Sequence, residues 1–247
     1  DSLLKNVELA RREYDGWQHF VVVSSVRPFG HVPAGASRSY AAPYDSTPLP
    51  EDWVDYDDLI ALGAPSMEKP SGPELAAGDD PMIIFFSSGT TGMPKMVQHG
   101  HTYPLGHFMT AAYWHDLEAD DVHLTLADSG WSKSSWGKLY GQWIQRATVF
   151  AWDYRGKFQP AELLKILAAH KITSFCAPPT VYRFMVLEDL KAHDLSSLRH
   201  CTTAGELLNH SVFEDWKAAT GLPIYEGFGQ TETTVALATA VRPSRSK

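Results

Sequence analysis

Cysteine is scarce: Cys176 and Cys201 are the only two in 247 residues. Both sit in short strand-like runs, TSFCAPP and LRHCTTAG. Two buried, reduced thiols are expected there, not a disulfide or a nucleophile. No apolar run approaches the roughly 18 residues of a membrane span, and no signal peptide opens the sequence. Positive charge is also short: 21 Lys and Arg face 29 Asp and Glu, a formal net charge of -8. That balance excludes a general binder of nucleic-acid backbones. A small anionic ligand stays open, because a few backbone N–H groups and one lysine can hold it locally. An initiating Met is missing too, and DSLLKNVELARREYDGW reads as a helix already under way. A piece cut from a longer, cytoplasmic protein is expected.

What is present is an ordinary globular composition, with 44% apolar residues, enough for a sizeable core. Leu3, Val7, Ala10 and Tyr14 share a face and predict a helix over 2–14, and HFVVVSS (19–25) predicts a buried strand. From Arg27 to about Asp80, Pro, Gly, Ser and Asp dominate. Little beyond a short helix near Asp55–Leu62 is expected in that stretch. A clear alternation follows. Strands are predicted at 82–86, 96–99, 122–126, 148–152 and 172–177, around RHCTTA, and at 223–228. Helices are predicted at about 102–115, 134–146, 160–170, 178–190 and 210–220, the last stopped by Gly221 and Pro223. Crossover helices of this length imply an α/β fold, a mainly parallel β-sheet flanked by helices. The expected division is an N-terminal portion over 1–80 and an α/β portion over 81–247.

The stretch SSGTTGMPK (87–95) carries the most chemistry. Gly89 and Gly92 let the backbone approach a ligand and turn its N–H groups inward. Ser87, Ser88, Thr90 and Thr91 add hydroxyl donors, and Lys95 adds a mobile positive charge. This is not the phosphate loop of the G-x-x-x-x-G-K-[ST] type. Lys95 lies three positions beyond Gly92, Pro94 intervenes, and a strand-like run follows instead of a helix.

The same stretch resembles the phosphate loop of acyl-adenylate-forming enzymes, roughly [ST]-S-G-[ST]-T-G-x-P-K. YEGFGQTET (225–233) resembles their Y-x-x-Y-G-x-T-E segment, with Phe228 where tyrosine is usual, and TTAGE (202–206) resembles the segment lining the adenine pocket. Gln230, ADSGWSKSSWGKLYG (127–141) and PPTVYRFM (178–185) look most like medium-chain acyl-CoA synthetases of the acetyl-CoA synthetase branch. The resemblance implies the large N-terminal domain of the adenylate-forming fold, here a nucleotide-binding portion over 81–247. It implies ATP, Mg2+ and coenzyme A, used to turn a medium-chain fatty or aromatic acid into an acyl-adenylate and then acyl-CoA.

Carried over residue by residue, the 87–95 loop grips the β- and γ-phosphates, with Lys95 acting in catalysis. Thr231 hydrogen-bonds the α-phosphate, and Glu232 is a Mg2+ ligand. Glu226, Gly227, Phe228, Gly229 and Gln230 run along adenine, with Gly205 and Glu206 opposite. Trp131 borders the acyl chain, and Gly205 also faces the substrate. Two other readings are carried beside this one: an amino-acid adenylation domain of a peptide synthetase, and a non-catalytic nucleotide-binding module. The segment SGWSKSSWG has no acid to pair with a substrate amine, which favours a plain carboxylic acid.

His99, His101 and His107 crowd together in MVQHGHTYPLGH without a zinc spacing, and His115 ends the next predicted helix. All four are expected at the surface or as caps. Trp136 is read as packing. The family's downstream aspartate segment and small C-terminal domain are not in the sequence, so the chain alone is expected to bind ATP weakly and to make little acyl-CoA.

Overall fold

The computed structural model describes residues 20–22, 53–55, 71–87, 93–128, 130–152 and 157–239. Two compact units divide the chain, Asp1–Ser71 and Gly72–Lys247. In the first, β1 (Phe20–Val22) pairs in parallel with β2 (Trp53–Asp55). The helix expected over 2–14, the helix expected after Asp55 and the long loop around β2 lie outside the described residues.

The second unit opens with a ribbon, β3 (Pro81–Ser87) against β4 (Lys95–Gly100), antiparallel. Next come α1 (Tyr103–Met109), which runs on as a π-helical turn over Thr110–Trp114, then β5 (Val122–Thr125), α2 (Ser132–Lys138) and α3 (Tyr140–Ile144). The chain continues through β6 (Thr148–Val149), α4 (Pro160–Ala169), β7 (Ser174–Cys176) and α5 (Pro179–Met185). It ends with β8 (His200–Ala204), α6 (His210–Thr220), β9 (Ile224–Gly229) and β10 (Val235–Ala238). Six strands form one sheet in the order β10-β9-β8-β7-β5-β6. Every pair in it is parallel except β10 with β9. The α/β architecture read from the sequence is the one observed.

The core lies between this sheet and α4, α5 and α6. Leu163, Leu164 and Leu167 fall on one face of α4 and pack with Phe175 of β7, Tyr182 and Met185 of α5, and Trp216 of α6. Proline at the first turn starts α4 and α5, where its missing N–H has no helical partner to lose. Asn209 caps α6 by accepting from the Ser211 N–H, and Gly221 ends it at φ 77°. Cys176 and Cys201 are buried and unbridged, as expected. Among the described residues no helix is long and apolar enough to cross a membrane.

Three expectations change. The strand at 82–86 is not buried in the parallel sheet: among the described residues it pairs with β4 alone, and of its residues only Phe85 is buried. The connection from Ser87 to Lys95 is too short for a parallel crossover, which needs a dozen residues or more, so a hairpin is forced. The helix over 134–146 breaks at Leu139, where φ -123° and ψ -79° leave the helical region. α3 restarts at Tyr140, whose ring comes within 6.1 Å of Tyr103 and 5.8 Å of His107 on α1. Finally, His107 is buried, because the face of α1 that carries it packs inward, and His115, which does stand at the C-cap of the π-helical turn as expected, is buried as well. His101 is exposed, as expected.

Candidate functional site

The carboxyl ends of the parallel strands face one way, and β8 and β9 run furthest there, past the end of β7 opposite Thr202. Past Ala204 the backbone turns at Gly205 with φ 104°, a conformation a side chain strongly disfavours. The next strand over, β9, runs beside it with Ala204 opposite Gly227. Between them opens a pocket of about 640 Å³ lined by Gly205, Glu206 and Leu207 on one side and Glu226, Gly227, Phe228 and Gly229 on the other. Leu237, Ala238 and Thr239 close it from β10.

The walls are tied. The Glu226 carboxylate accepts from the Leu208 N–H at 3.0 Å, joining β9 to the segment after Gly205. The Thr239 N–H donates to the Glu226 carbonyl at 2.9 Å. The Glu206 carboxylate accepts from the Thr180 hydroxyl at 2.7 Å, bracing that side on α5. Trp114 lies beneath β9: a Cβ added at Gly227 would stand 2.6 Å from its indole. Its Nε1 donates to the Tyr225 carbonyl at 3.3 Å. Phe228 keeps its ring outward, 57% exposed, as a flat apolar face at the pocket.

Beyond Gly229 the chain turns over Gln230–Thr234 before β10. The Gln230 N–H donates to the Thr233 hydroxyl at 3.1 Å, and the Thr233 N–H donates to the Gln230 carbonyl at 3.1 Å. Thr231 is half-buried at this turn and Glu232 is exposed. The ribbon reaches the same turn: His99 Nε2 on β4 is 2.7 Å from the Thr231 carbonyl oxygen. Ser87 and Lys95 face each other as the last register pair of that ribbon. The contact thus joins the turn to β4 at His99, which pairs with Ile83, four residues along the strand from Lys95. Ser88, Gly89, Thr90, Thr91 and Gly92 lie outside the described residues.

Trp131 is not among the residues lining the pocket. It stands just before α2 with its indole 66% exposed. The same helix is anchored close by, since the buried Lys133 donates to the Ala204 carbonyl at 2.9 Å, one residue before Gly205. The side chain of Trp136 lies outside the described residues.

At the opposite, amino ends of the parallel strands, Arg199 bridges Asp116 at 2.8 Å and Asp121 through Nε at 2.8 Å. Burial pushes the Asp121 carboxyl up, but hydrogen bonds from Arg199 and Thr173 outweigh it and hold its pKa below the usual value. His123 and His200 on the sheet, and His115 at the end of the π-helical turn packed on it, sit among hydroxyls and carbonyls. His115 Nδ1 is 3.1 Å from the Thr202 hydroxyl, His123 is 2.9 Å from Ser174 and 2.8 Å from Thr125, and His200 donates to the Trp114 carbonyl at 2.7 Å. Burial lowers all three, His123 to about 3. It also lowers His107, to about 4.

A strongly acidic metal cage is not what this arrangement offers: among the described residues no three His, Cys, Asp or Glu groups converge on one point. A single exposed carboxylate such as Glu232 has the chemistry of a Mg2+ ligand, since that cation keeps its waters and binds through one or two carboxylates.

Two features of the site had no motif in the sequence. The pocket wall from β10 follows β9 after a connection of hairpin length, and the apolar run VALA was the available signal. His99 had no signal beyond its place on a strand that begins at Lys95.

The model of the family described as AMP-binding enzyme matches residues 26–247. A mouse protein, acyl-coenzyme A synthetase ACSM3, mitochondrial, is 45% identical over 158 residues, covering 64% of this chain and 27% of its own. The human acyl-coenzyme A synthetase ACSM4, mitochondrial, is 40% identical over 73% of this chain and 30% of its own. Among solved structures, an anthranilate CoA ligase in complex with anthranoyl-AMP superposes with a TM-score of 0.76 at 26% identity, over 98% of this chain and 43% of its own. The chain spans less than a third of the length of these two curated relatives, 27% and 30%.

Proposed function

The chain belongs to the AMP-binding enzyme family, and on that premise we propose that it is the nucleotide-binding portion of an AMP-forming acid–thiol ligase. The reaction inferred is activation of a medium-chain fatty or aromatic carboxylic acid by ATP. A carboxylate oxygen bonds to the α-phosphorus, pyrophosphate leaves, and the acyl group of the resulting adenylate then passes to the thiol of coenzyme A, releasing AMP. The single observation that carries this reading is the 2.7 Å contact of His99 with the Thr231 carbonyl. It joins β4, four residues on from Lys95, to the turn bearing Thr231 and Glu232 that follows β9, the strand lining the pocket, and so supports one shared site.

In this reading adenine enters that pocket against Phe228, with Glu226, Gly227, Gly229 and Gln230 along one side and Gly205 and Glu206 along the other. The Thr231 hydroxyl donates to the α-phosphate. Ser87, the 88–92 backbone and Lys95 hold the β- and γ-phosphates, so that donors already stand where negative charge develops. Glu232 holds Mg2+, which when bound supplies charge neutralisation to the triphosphate. Trp131, at the head of the helix that Lys133 ties to the end of β8, borders the acyl chain.

The remaining face of the reaction is assigned to sequence beyond this chain, including a small C-terminal domain. For the compartment, we keep the cytoplasm expected from the sequence. The relatives' names read mitochondrial, and imaging the tagged full-length protein separates the two.

The test is acid-dependent exchange of labelled pyrophosphate into ATP by the full-length protein, across fatty, aromatic and amino acids. Exchange with a medium-chain or aromatic acid is expected. Exchange with amino acids alone moves the assignment to the peptide-synthetase class, and no exchange with any acid leaves a non-catalytic nucleotide-binding module.

A further inference from the structure

His99 belongs to none of the three motifs, yet among the described residues its side chain hydrogen-bonds the ribbon to the turn. Its Nε2 reaches the Thr231 carbonyl oxygen at 2.7 Å across 132 positions of sequence. A carbonyl oxygen only accepts, so Nε2 carries the hydrogen and donates it. The ring is held in plane. It stacks on Tyr103 with centroids 4.0 Å apart and planes 21° from parallel, and Phe85 sits edge-on at 6.0 Å. Tyr103 is buried and meets His107 at 4.5 Å and Tyr140 at 6.1 Å. The packing of α1 and α3 therefore sets the place from which His99 donates.

The other end of the same turn rests on α1. A Cβ on Gly106 would lie 3.2 Å from the Thr234 methyl group. In a trans peptide the carbonyl and the following N–H point in opposite directions. Fixing the Thr231 carbonyl therefore fixes the direction of the Glu232 N–H and the point from which the Glu232 side chain departs.

We propose that His99 is a positioning residue: its Nε2–H orients the Thr231–Glu232 peptide for the triphosphate and its cation. This rests on the nucleotide-site reading above. His99 acts through the peptide and not on the substrate.

Reach separates the roles. In His99→Gln the amide N–H falls about where Nε2 stands. In His99→Asn it falls near the Nδ1 position, short of Thr231. His99→Phe keeps a ring face for Tyr103 and has no donor. In pyrophosphate exchange by the full-length protein, H99N and H99F should lose roughly tenfold in kcat, the scale of one hydrogen bond. H99Q should stay within about threefold of wild type. KM for the acid should be unchanged in all three, since the acid does not meet this turn.

Thermal melts check folding, and if H99F does not fold the Gln–Asn pair alone decides. The proposal is overturned if H99N exchanges within about twofold of wild type, or if H99Q falls as low as H99N. If instead the wild-type protein exchanges with no acid, the functional reading fails and this role falls with it. Loss of the role alone is distinguished by an active wild type with an equally active H99N.

Discussion

β8 and β3 both lead to the proposed nucleotide site, and they are supported in opposite ways. All five residues of β8 are buried, with parallel neighbours β7 and β9 on its two edges. Among the described residues β3 has one neighbour, β4, and it buries only Phe85, while Ile84 and Phe86 stay exposed. The adenine side is thus part of a close-packed sheet, where displacing one element disturbs the whole core. The proposed phosphate side is a ribbon held, among the described residues, by contacts of Phe85, His99 and Tyr103. Binding loops are commonly drawn from such low-stability segments carried on a rigid scaffold. The division teaches which changes should damage the fold and which only the site.

The largest effect should come from acid, because three buried histidines lose stability together. His123 has an ordinary value of 6.5 and is held at about 3 by burial, partly opposed by a Gly137 backbone hydrogen bond and the charge of Asp121. The unfolded chain therefore takes up a proton below about pH 6.5 that the folded chain refuses, and stability falls as pH falls through that window. At about pH 5 the loss for His123 alone approaches 2 kcal/mol, since each unit is worth about 1.4 kcal/mol. His115 and His200 are displaced in the same direction and add to it. Urea titrations near pH 7 and pH 5 check this, and equal midpoints would contradict it.

Next is Phe175→Ala in β7, fully buried in the main core. It should cost about 3–5 kcal/mol in urea unfolding. A cost below about 1 kcal/mol would mean that the sheet is not the rigid half. Third, Gly227→Ala forces a Cβ to within 2.6 Å of the Trp114 indole. Roughly 1–3 kcal/mol of stability should go, and the displaced strand should weaken ATP binding measured by calorimetry. Smallest is Phe86→Ser on the ribbon, where the side chain is 66% exposed. Its unfolding free energy should stay within about 0.5 kcal/mol of wild type.

The sheet was legible because its signals are local. The leucines of α4 repeat on one face, proline opens α4 and α5, and Gly221 stops α6. Gly205, Glu206 and Glu226 to Gly229, which line the pocket, were singled out through the resemblance of TTAGE and YEGFGQTET to family segments. What stayed hidden depends on partners distant in sequence. Whether MIIFF is buried depends on which strands pair with it, and the short return to Lys95 was the overlooked signal. His107 and His115 look like surface residues until α1 and its π-helical turn pack inward. β10 is four residues long, and only its hairpin to β9 gives it a role in the pocket.

The central claim is that the ribbon and the Thr231–Glu232 turn serve one triphosphate and its cation. A double-mutant cycle on Lys95→Ala and Glu232→Gln, read in pyrophosphate exchange by the full-length protein, tests it most directly. Groups acting on one ligand should be non-additive, with a coupling of about 1 kcal/mol or more. Effects that add to within about 0.5 kcal/mol would contradict a shared site.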